Sequence, residues 1–144
     1  MKPGLGVGIM VLKDNKILLG LRKTNKDKVT EIDGYETWSM PGGKVEYLEK
    51  LVDTAKRELR EETTIEALDL KLISVNDDIV DQAHYVTIGF LVTDFKGEAI
   101  VTEPDKNIDW KWFNLNELPN NLYEPSKNIL HNYLNNQVYK FNIK

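Results

Sequence analysis

The sequence predicts an α/β (α+β) domain, one mixed sheet with helices packed against it. Three observations predict it. Short β-branched and aromatic runs recur along the chain, separated by polar or Gly- and Pro-containing turns. Two segments, one ahead of Glu62 and one after Pro125, return their apolar residues at helical spacing. At 144 residues, with 41% hydrophobic and 29% charged side chains, the chain has the length and composition of one ordinary globular domain, taken to span residues 1–144.

The elements follow in order. GVGIMVL (Gly6–Leu12) reads as a buried strand, KDNK (Lys13–Lys16) as a turn, and ILLGLR (Ile17–Arg22) as the returning strand of a hairpin. Lys23–Glu36 is polar and lacks periodicity, which predicts an exposed loop. TWSM (Thr37–Met40) is short and apolar enough for a strand, and Pro41-Gly42-Gly43 is read as ending it. A helix is predicted over about Leu48 to Glu62, then a strand over Leu68–Val75. HYVTIGFLVTD (His84–Asp94) is the strongest strand signal, being rich in β-branched and aromatic residues. DWKWF (Asp109–Phe113) alternates and puts Trp110 and Trp112 on one face. Asn114-Leu-Asn-Glu117 resembles a capping box before Pro119. Ile129, Leu130, Tyr133 and Leu134 place a last helix over Ser126–Gln137.

Composition narrows the function. No apolar run approaches the roughly 20 residues that span a bilayer, so no membrane partner is expected. The opening MKPGLGVGIMVL is too short and Gly-rich for a signal peptide. The chain has no cysteine, which excludes disulfides, Fe–S centres and thiol nucleophiles. Any metal must therefore sit on oxygen or histidine ligands. These features favour a cytoplasmic protein. A formal net charge of −4, with scattered lysines, argues against a nucleic-acid polymer as partner. A small phosphorylated ligand stays open, because a bound divalent cation can supply the missing positive charge.

The segment GGKVEYLEKLVDTAKRELREETTI carries the chemistry. At about 100° per residue, Leu48, Leu51, Val52, Ala55 and Leu59 gather into one stripe. Glu62 projects within that stripe, Glu58 lies at its edge, and Glu61 sits farther round. Glu58 and Glu62 are four apart and are therefore neighbours on the helix. Like charges at that spacing repel, and partial burial penalises each, so a cation must compensate. Arg57 is one such cation. Mg²⁺ suits the rest, since it takes oxygen ligands and keeps waters beside one or two carboxylates and substrate phosphates. A solvated acidic face paired with Lys56, Arg57 and Arg60 is the bland alternative. The position of Glu62 and the preceding Gly-Gly weigh against it. Zinc is disfavoured with no cysteine and two distant histidines.

The same segment resembles the signature of the Nudix hydrolases. Gly43, then Glu49, then Arg57-Glu58-Leu59, Glu61-Glu62 and Ile65 occupy the fixed positions in order, and Thr64 alone departs, standing where the pattern has Gly. GVGIMVL, ILLGLRK, TWSMPGG, HYVTIGF, EPDK and DWKWFNLNELP resemble, in the same order, the landmarks of the family's nucleoside-triphosphate pyrophosphohydrolases. The resemblance implies a Nudix-like α/β/α sandwich with a mixed central sheet. It implies Glu58, Glu61, Glu62 and the Gly43 carbonyl as metal ligands, for Mg²⁺ or Mn²⁺, and Arg57 as the residue that orients a catalytic glutamate. Glu49 would brace the helix start. Asp105 would be an extra ligand or base, with Arg57, Glu58 and Glu61 the remaining catalytic residues. Arg22 would meet substrate phosphates, and Trp38, Gly43 and His84 would also contact the nucleotide.

The reaction implied is attack of water on a phosphorus of a nucleotide, with a metal lowering the water's pKa and a carboxylate taking its proton. A nucleoside triphosphate is the leading substrate class. A nucleotide sugar, ADP-ribose or a dinucleotide is the alternative within the family, and a non-catalytic nucleotide-binding module the alternative outside hydrolysis. Gly6 and Gly8 would let a flat base approach the sheet. The resemblance also implies a homodimer. Thr64 is expected in the turn after the helix, as a structural departure that removes no ligand.

Overall fold

Asp14 and Asn15 both take positive φ, 51° and 62°. A two-residue type I′ hairpin demands that pairing, and Asp and Asn tolerate it better than most residues. In the computed structural model, which describes residues 1–23 and 36–140, this turn joins β1 (Gly4–Lys13) to β2 (Lys16–Arg22), with Leu12 opposite Ile17. The predicted hairpin is present. Of the loop expected over Lys23–Glu36, only the two ends lie within the described residues.

The other strands are β3 (Trp38–Ser39), β4 (Gly42–Lys44), β5 (Glu66–Ala67), β6 (Lys71–Val80), β7 (Ala83–Val92), β8 (Phe95–Lys96) and β9 (Asn107–Asn114). The helices are α1 (Leu51–Thr63) and α2 (Glu124–Leu134). The main sheet runs β3-β2-β1-β7-β6, with β4 joined to β1 and β9 to β2, while β5 and β8 pair separately. β1 runs parallel to β7, from Gly4 beside Tyr85 to Val11 beside Val92. Its other edge is shared between β4, where Gly8 faces Gly42, and β2 at the hairpin. A central strand covered on both faces has no polar face, which accounts for the unbroken apolar run in β1.

The two faces carry separate cores. Val7, Ile9, Val11 and Leu18 pack with Ala55 and Leu59 of α1, and Met10, Ile17, Leu19 and Met40 pack with Ile129 and Leu130 of α2. The expected α/β/α sandwich with a mixed sheet is the observed architecture. α2 closes on the sheet over Gly8 and its neighbour Gly89. A Cβ on Gly8 would lie 2.6 Å from Ile129 Cδ1, and one on Gly89 would lie 2.9 Å from Ile129 Cγ2. The space above Gly8, expected to admit a base, is therefore filled by Ile129.

Other boundaries differ from expectation for local reasons. The Pro41-Gly42-Gly43 stretch does not stop pairing, because β4 resumes at Gly42 against β1. α1 starts at Leu51 rather than Leu48, since Leu48 is left-handed (φ 66°) and 87% exposed. The strand expected over Leu68–Val75 begins at Lys71 and continues to Val80. Asn114 makes a turn instead of a helix cap: its Oδ1 accepts from the Asn116 N–H at 2.9 Å. Pro125 sits inside the first turn of α2, where its missing N–H costs nothing. Among the described residues no helix is long and apolar enough to cross a membrane.

Candidate active site

α1 buries Thr54, Ala55, Leu59 and Thr63. On the helical wheel Glu58 and Glu62 fall inside that arc, so packing alone drives both carboxylates toward the protein. Val52, expected in the apolar stripe, is instead 40% exposed. No side chain caps the N-terminus of α1. Glu49 braces it in another way, accepting from the Glu46 N–H at 3.1 Å and the Thr54 hydroxyl at 2.6 Å.

Arg57 ties the cluster together. Its Nε donates to Glu49 Oε2 at 2.7 Å and its Nη2 to Glu49 Oε1 at 3.0 Å, a two-pronged ion pair. Nη1 donates to Glu58 Oε1 at 2.7 Å and to Glu61 Oε2 at 3.3 Å, and Nη2 also reaches the Lys44 carbonyl at 3.2 Å. The Arg57 guanidinium, helped by Thr54, holds the Glu49 carboxyl down at about 2. Arg57 in turn is held firmly protonated, by Glu49 first and then Glu58.

Glu62 is the electrostatic anomaly. Burial, then the charge on Glu58, push its carboxyl up to about 8. A single long hydrogen bond from the Gly42 N–H, at 3.4 Å, opposes them weakly. Burial also raises Glu58, against the pull of Arg57. Gly43 is packed against this pair: a Cβ there would lie 2.3 Å from the Glu58 carboxyl carbon. Backbone at 43 thus approaches the carboxylate more closely than any other residue type allows.

The segment before β9 completes the site. Its start docks on the C-terminus of α1. Thr102 Oγ1 donates to the Glu61 and Glu62 carbonyls, the Ile100 N–H to the Thr63 carbonyl at 3.0 Å, and Thr64 Oγ1 to the Glu98 carbonyl at 2.8 Å. The Thr102 and Ile100 bonds satisfy helix-end carbonyls that lack intrahelical partners. They also carry Glu103 to the cluster, where its charge helps raise Glu62. Lys106 pairs with Glu103 at 3.2 Å and is itself held protonated by Glu103 and then by Glu62 and Glu58. Asp105 lies exposed in the intervening turn. Glu103, two residues earlier, is the acid that faces the helix and the one sequence reasoning passed over. Its only signal was membership of the same EPDK run.

The other predicted residues are more scattered. Arg22 ends β2 beside the Glu103–Lys106 turn, with the Lys23 N–H donating to the Lys106 carbonyl at 2.8 Å. Its guanidinium lies 3.8 Å from the centre of the Tyr123 ring. Trp38 is half-buried and meets Phe113 edge-on at 4.8 Å between centroids. Its neighbour Thr37 lines a cavity of about 630 Å³ between β6 and α2. His84 is exposed and stands opposite Ile79. Strand alternation puts it on the other face from Asn76 and Asp78. Trp110 is buried in the α1-side core, and Trp112 stacks on Phe95 at 5.9 Å.

The residues fit a divalent cation. Among the described residues no three Asp, Glu or His side chains stand grouped so as to hold a metal ion by themselves. Two half-buried carboxylates disfavoured as anions, beside a closely approached backbone turn, instead make an open oxygen site of the kind Mg²⁺-sized ions share with water and phosphate. A cation there would offset the desolvation that lifts Glu62.

A family model, the NUDIX domain, matches residues 2–133. The chain belongs to the NUDIX domain family. As a Nudix hydrolase it is an enzyme acting on phosphoric anhydrides, in a family that acts on small nucleotide substrates and needs divalent metal ions. This sets aside a purely non-catalytic binding module. The chain is 30% identical over 136 residues to an ADP-ribose pyrophosphatase of Methanocaldococcus jannaschii, covering 93% of this chain and 75% of that protein. It is 30% identical over 146 residues to an RNA pyrophosphohydrolase of Bartonella clarridgeiae, covering 85% and 83% respectively. The crystal structure of a MutT NUDIX hydrolase from Burkholderia pseudomallei matches with a TM-score of 0.82 and 32% identity, covering 92% of this Nudix chain and 98% of that one.

Proposed function

We propose that this Nudix hydrolase cleaves nucleoside or deoxynucleoside triphosphates to the monophosphate and pyrophosphate, in the cytoplasm, with Mg²⁺ held by Glu58, Glu61, Glu62 and the Gly43 carbonyl. The observation that carries the reading is the Glu58–Glu62 pair, half-buried and raised, packed against Gly43. When bound, Mg²⁺ supplies charge neutralisation at the phosphates and a more acidic water. The protein's own groups do the remainder. Arg57 holds Glu58 in place through its 2.7 Å bond and opposes the burial that disfavours its charge, while the Glu49 fork holds Arg57. Water oxygen bonds to a phosphorus, its proton passes to a carboxylate, and the bridging P–O bond breaks with pyrophosphate leaving. Glu61, 52% exposed and tethered to Arg57, and Glu103 on the facing segment are the carboxylates open to such a water. Glu103 takes the role first considered for Asp105. Arg22, between Tyr123 and the Glu103–Lys106 turn, steadies the phosphates.

A nucleoside-sized cavity of about 630 Å³ beside Thr37 supports a triphosphate. ADP-ribose is the second reading, favoured by the 30% identity to the M. jannaschii ADP-ribose pyrophosphatase. Product mass from a panel of nucleoside triphosphates, nucleotide sugars, dinucleotides and ADP-ribose decides between them. A tenfold advantage in kcat/KM for ADP-ribose, about 1.4 kcal/mol, replaces the triphosphate reading. Glu58→Gln and Glu62→Gln should each lower turnover at least a hundredfold while remaining folded, and near-normal turnover in both removes the metal assignment. Homodimerisation belongs to the same proposal, and a monomer mass by light scattering at micromolar concentration removes it.

A further inference from the structure

An aromatic ring from a distant segment lies against Arg22. The guanidinium carbon sits over the Tyr123 ring, 3.8 Å from its centre, a separation at which the two planar groups touch. Both side chains are half-buried. Backbone bonds register one on the other across the sheet edge. The Arg22 N–H donates to the Thr37 carbonyl at 2.8 Å, and Leu21 pairs with Trp38. Trp38 donates its own N–H to the Asn121 carbonyl at 2.9 Å and accepts from the Tyr123 N–H at 2.8 Å, in a parallel bridge with Leu122. Trp38 and Leu122 turn into the α2-side core, so Tyr123, the next residue along, turns to the other face. Arg22 shares that face by alternation with Leu18, which packs in the α1-side core. It is the face on which α1 and its carboxylates stand. Tyr123 also begins α2, where its carbonyl accepts from the Lys127 N–H at 2.9 Å, so a helix end fixed to the sheet carries the ring.

A ring laid on the face of a guanidinium leaves the donors in its plane uncovered, and those donors are what grip a phosphate in two-pronged fashion. An unrestrained arginine loses rotamer freedom when it closes on an anion, whereas a stacked one has lost it already on folding. We propose that Tyr123 is a positioning residue for the substrate phosphates: its ring holds Arg22 in place at the end of β2, with the edge of the guanidinium left to the ligand. The inference rests on the phosphate-binding reading of Arg22 and names the residue through which that reading works. The ring is placed before substrate arrives and touches none of the reacting atoms. Its contribution is therefore to binding in ground state and transition state alike, which moves KM and leaves kcat in place.

Steady-state kinetics of the whole protein with Mg²⁺ test this on ATP, GTP, CTP, UTP and ADP-ribose, read on whichever turns over fastest. Tyr123→Leu should raise KM three- to tenfold with kcat within twofold of wild type. Tyr123→Phe, which keeps the ring, should hold KM within twofold of wild type. Arg22→Ala should raise KM at least tenfold, and adding Tyr123→Leu to it should change KM by less than twofold, since the ring acts through the arginine. Should Tyr123→Leu fail to fold, Tyr123→Met takes its place, an unbranched chain that fills the space without a ring face. Wild-type KM in the leucine or methionine variant overturns the proposal, as does a loss in Tyr123→Phe equal to that in Tyr123→Leu, or effects of the two residues that multiply in the double variant. Each of those outcomes leaves the hydrolysis reading intact. Turnover of ADP-ribose alone replaces the triphosphate reading, and the same KM pattern on ADP-ribose upholds Tyr123. Wild-type KM in Arg22→Ala removes the phosphate role of Arg22 and the proposal with it, and no turnover of any of the five overturns both readings.

Discussion

At Gly43 one hydrogen atom decides the geometry of a carboxylate. A methyl group there would stand 2.3 Å from the Glu58 carboxyl carbon and 2.5 Å from both its oxygens, distances no real contact sustains. Gly43→Ala should therefore displace Glu58 and lower kcat at least tenfold, with a far smaller effect on melting temperature. Steady-state kinetics beside a thermal melt checks this. Glu62 makes a pH prediction. Its folded carboxyl titrates at about 8, against an ordinary value near 4.5, so the folded chain holds that proton more tightly than the unfolded chain. The stabilisation is complete below about pH 4.5 and is lost as pH rises through 8, on the order of a few kcal/mol across the window. Melts in chelator should show this fall, and Glu62→Gln should flatten it. Both carboxylates were legible in sequence, because spacing by four within an apolar arc is a local property. Glu103 was not, because its part depends on a segment forty residues away in sequence docking on the helix end.

At the scale of the element, α1 shows what periodicity misses. Leu48 continues the apolar rhythm, but its left-handed backbone keeps it out of the helix, and Thr54 and Thr63 do burial work that hydrophobicity would not assign them. Thr63 manages this by returning its hydroxyl to the Leu59 carbonyl at 2.6 Å. The far end of α1 carries the one departure from the Nudix signature. Thr64 closes the helix at φ 71° with its N–H on the Arg60 carbonyl, in the conformation that glycine adopts without strain. Gly would relieve about 1 kcal/mol of backbone strain, but would lose the Thr64 Oγ1 bond to the Glu98 carbonyl and add freedom to the unfolded chain. Thr64→Gly should accordingly shift stability by less than about 1 kcal/mol in urea titration and leave turnover unchanged.

Across the whole molecule, two helices cover opposite faces of one sheet. A divalent cation that binds only the folded chain should raise its melting temperature by linkage. Saturation at a hundred times Kd is worth about 2.7 kcal/mol, several degrees for a chain this size. Mg²⁺ added in differential scanning calorimetry should show that rise. Glu62→Gln should show a smaller one, and equal rises in both would remove Glu62 from the ligand set.

The sequence by itself determined the longer strands and both helices, the hairpin turn within Lys13–Lys16, and the spacing of the carboxylates at 58 and 62 beside Arg57, because each rests on residues within one turn or one strand of each other. Tertiary structure decided the rest. It docked the segment ahead of β9 on the end of α1, so that the charge of Glu103 reaches Glu62, filled the floor at Gly8 with Ile129 instead of a base, and brought Asp78 and Asn128 together between β6 and α2. Each of those outcomes depends on which face of the sheet a strand presents and which distant segment lies against it. Register and packing set both, and neither is written in local spacing.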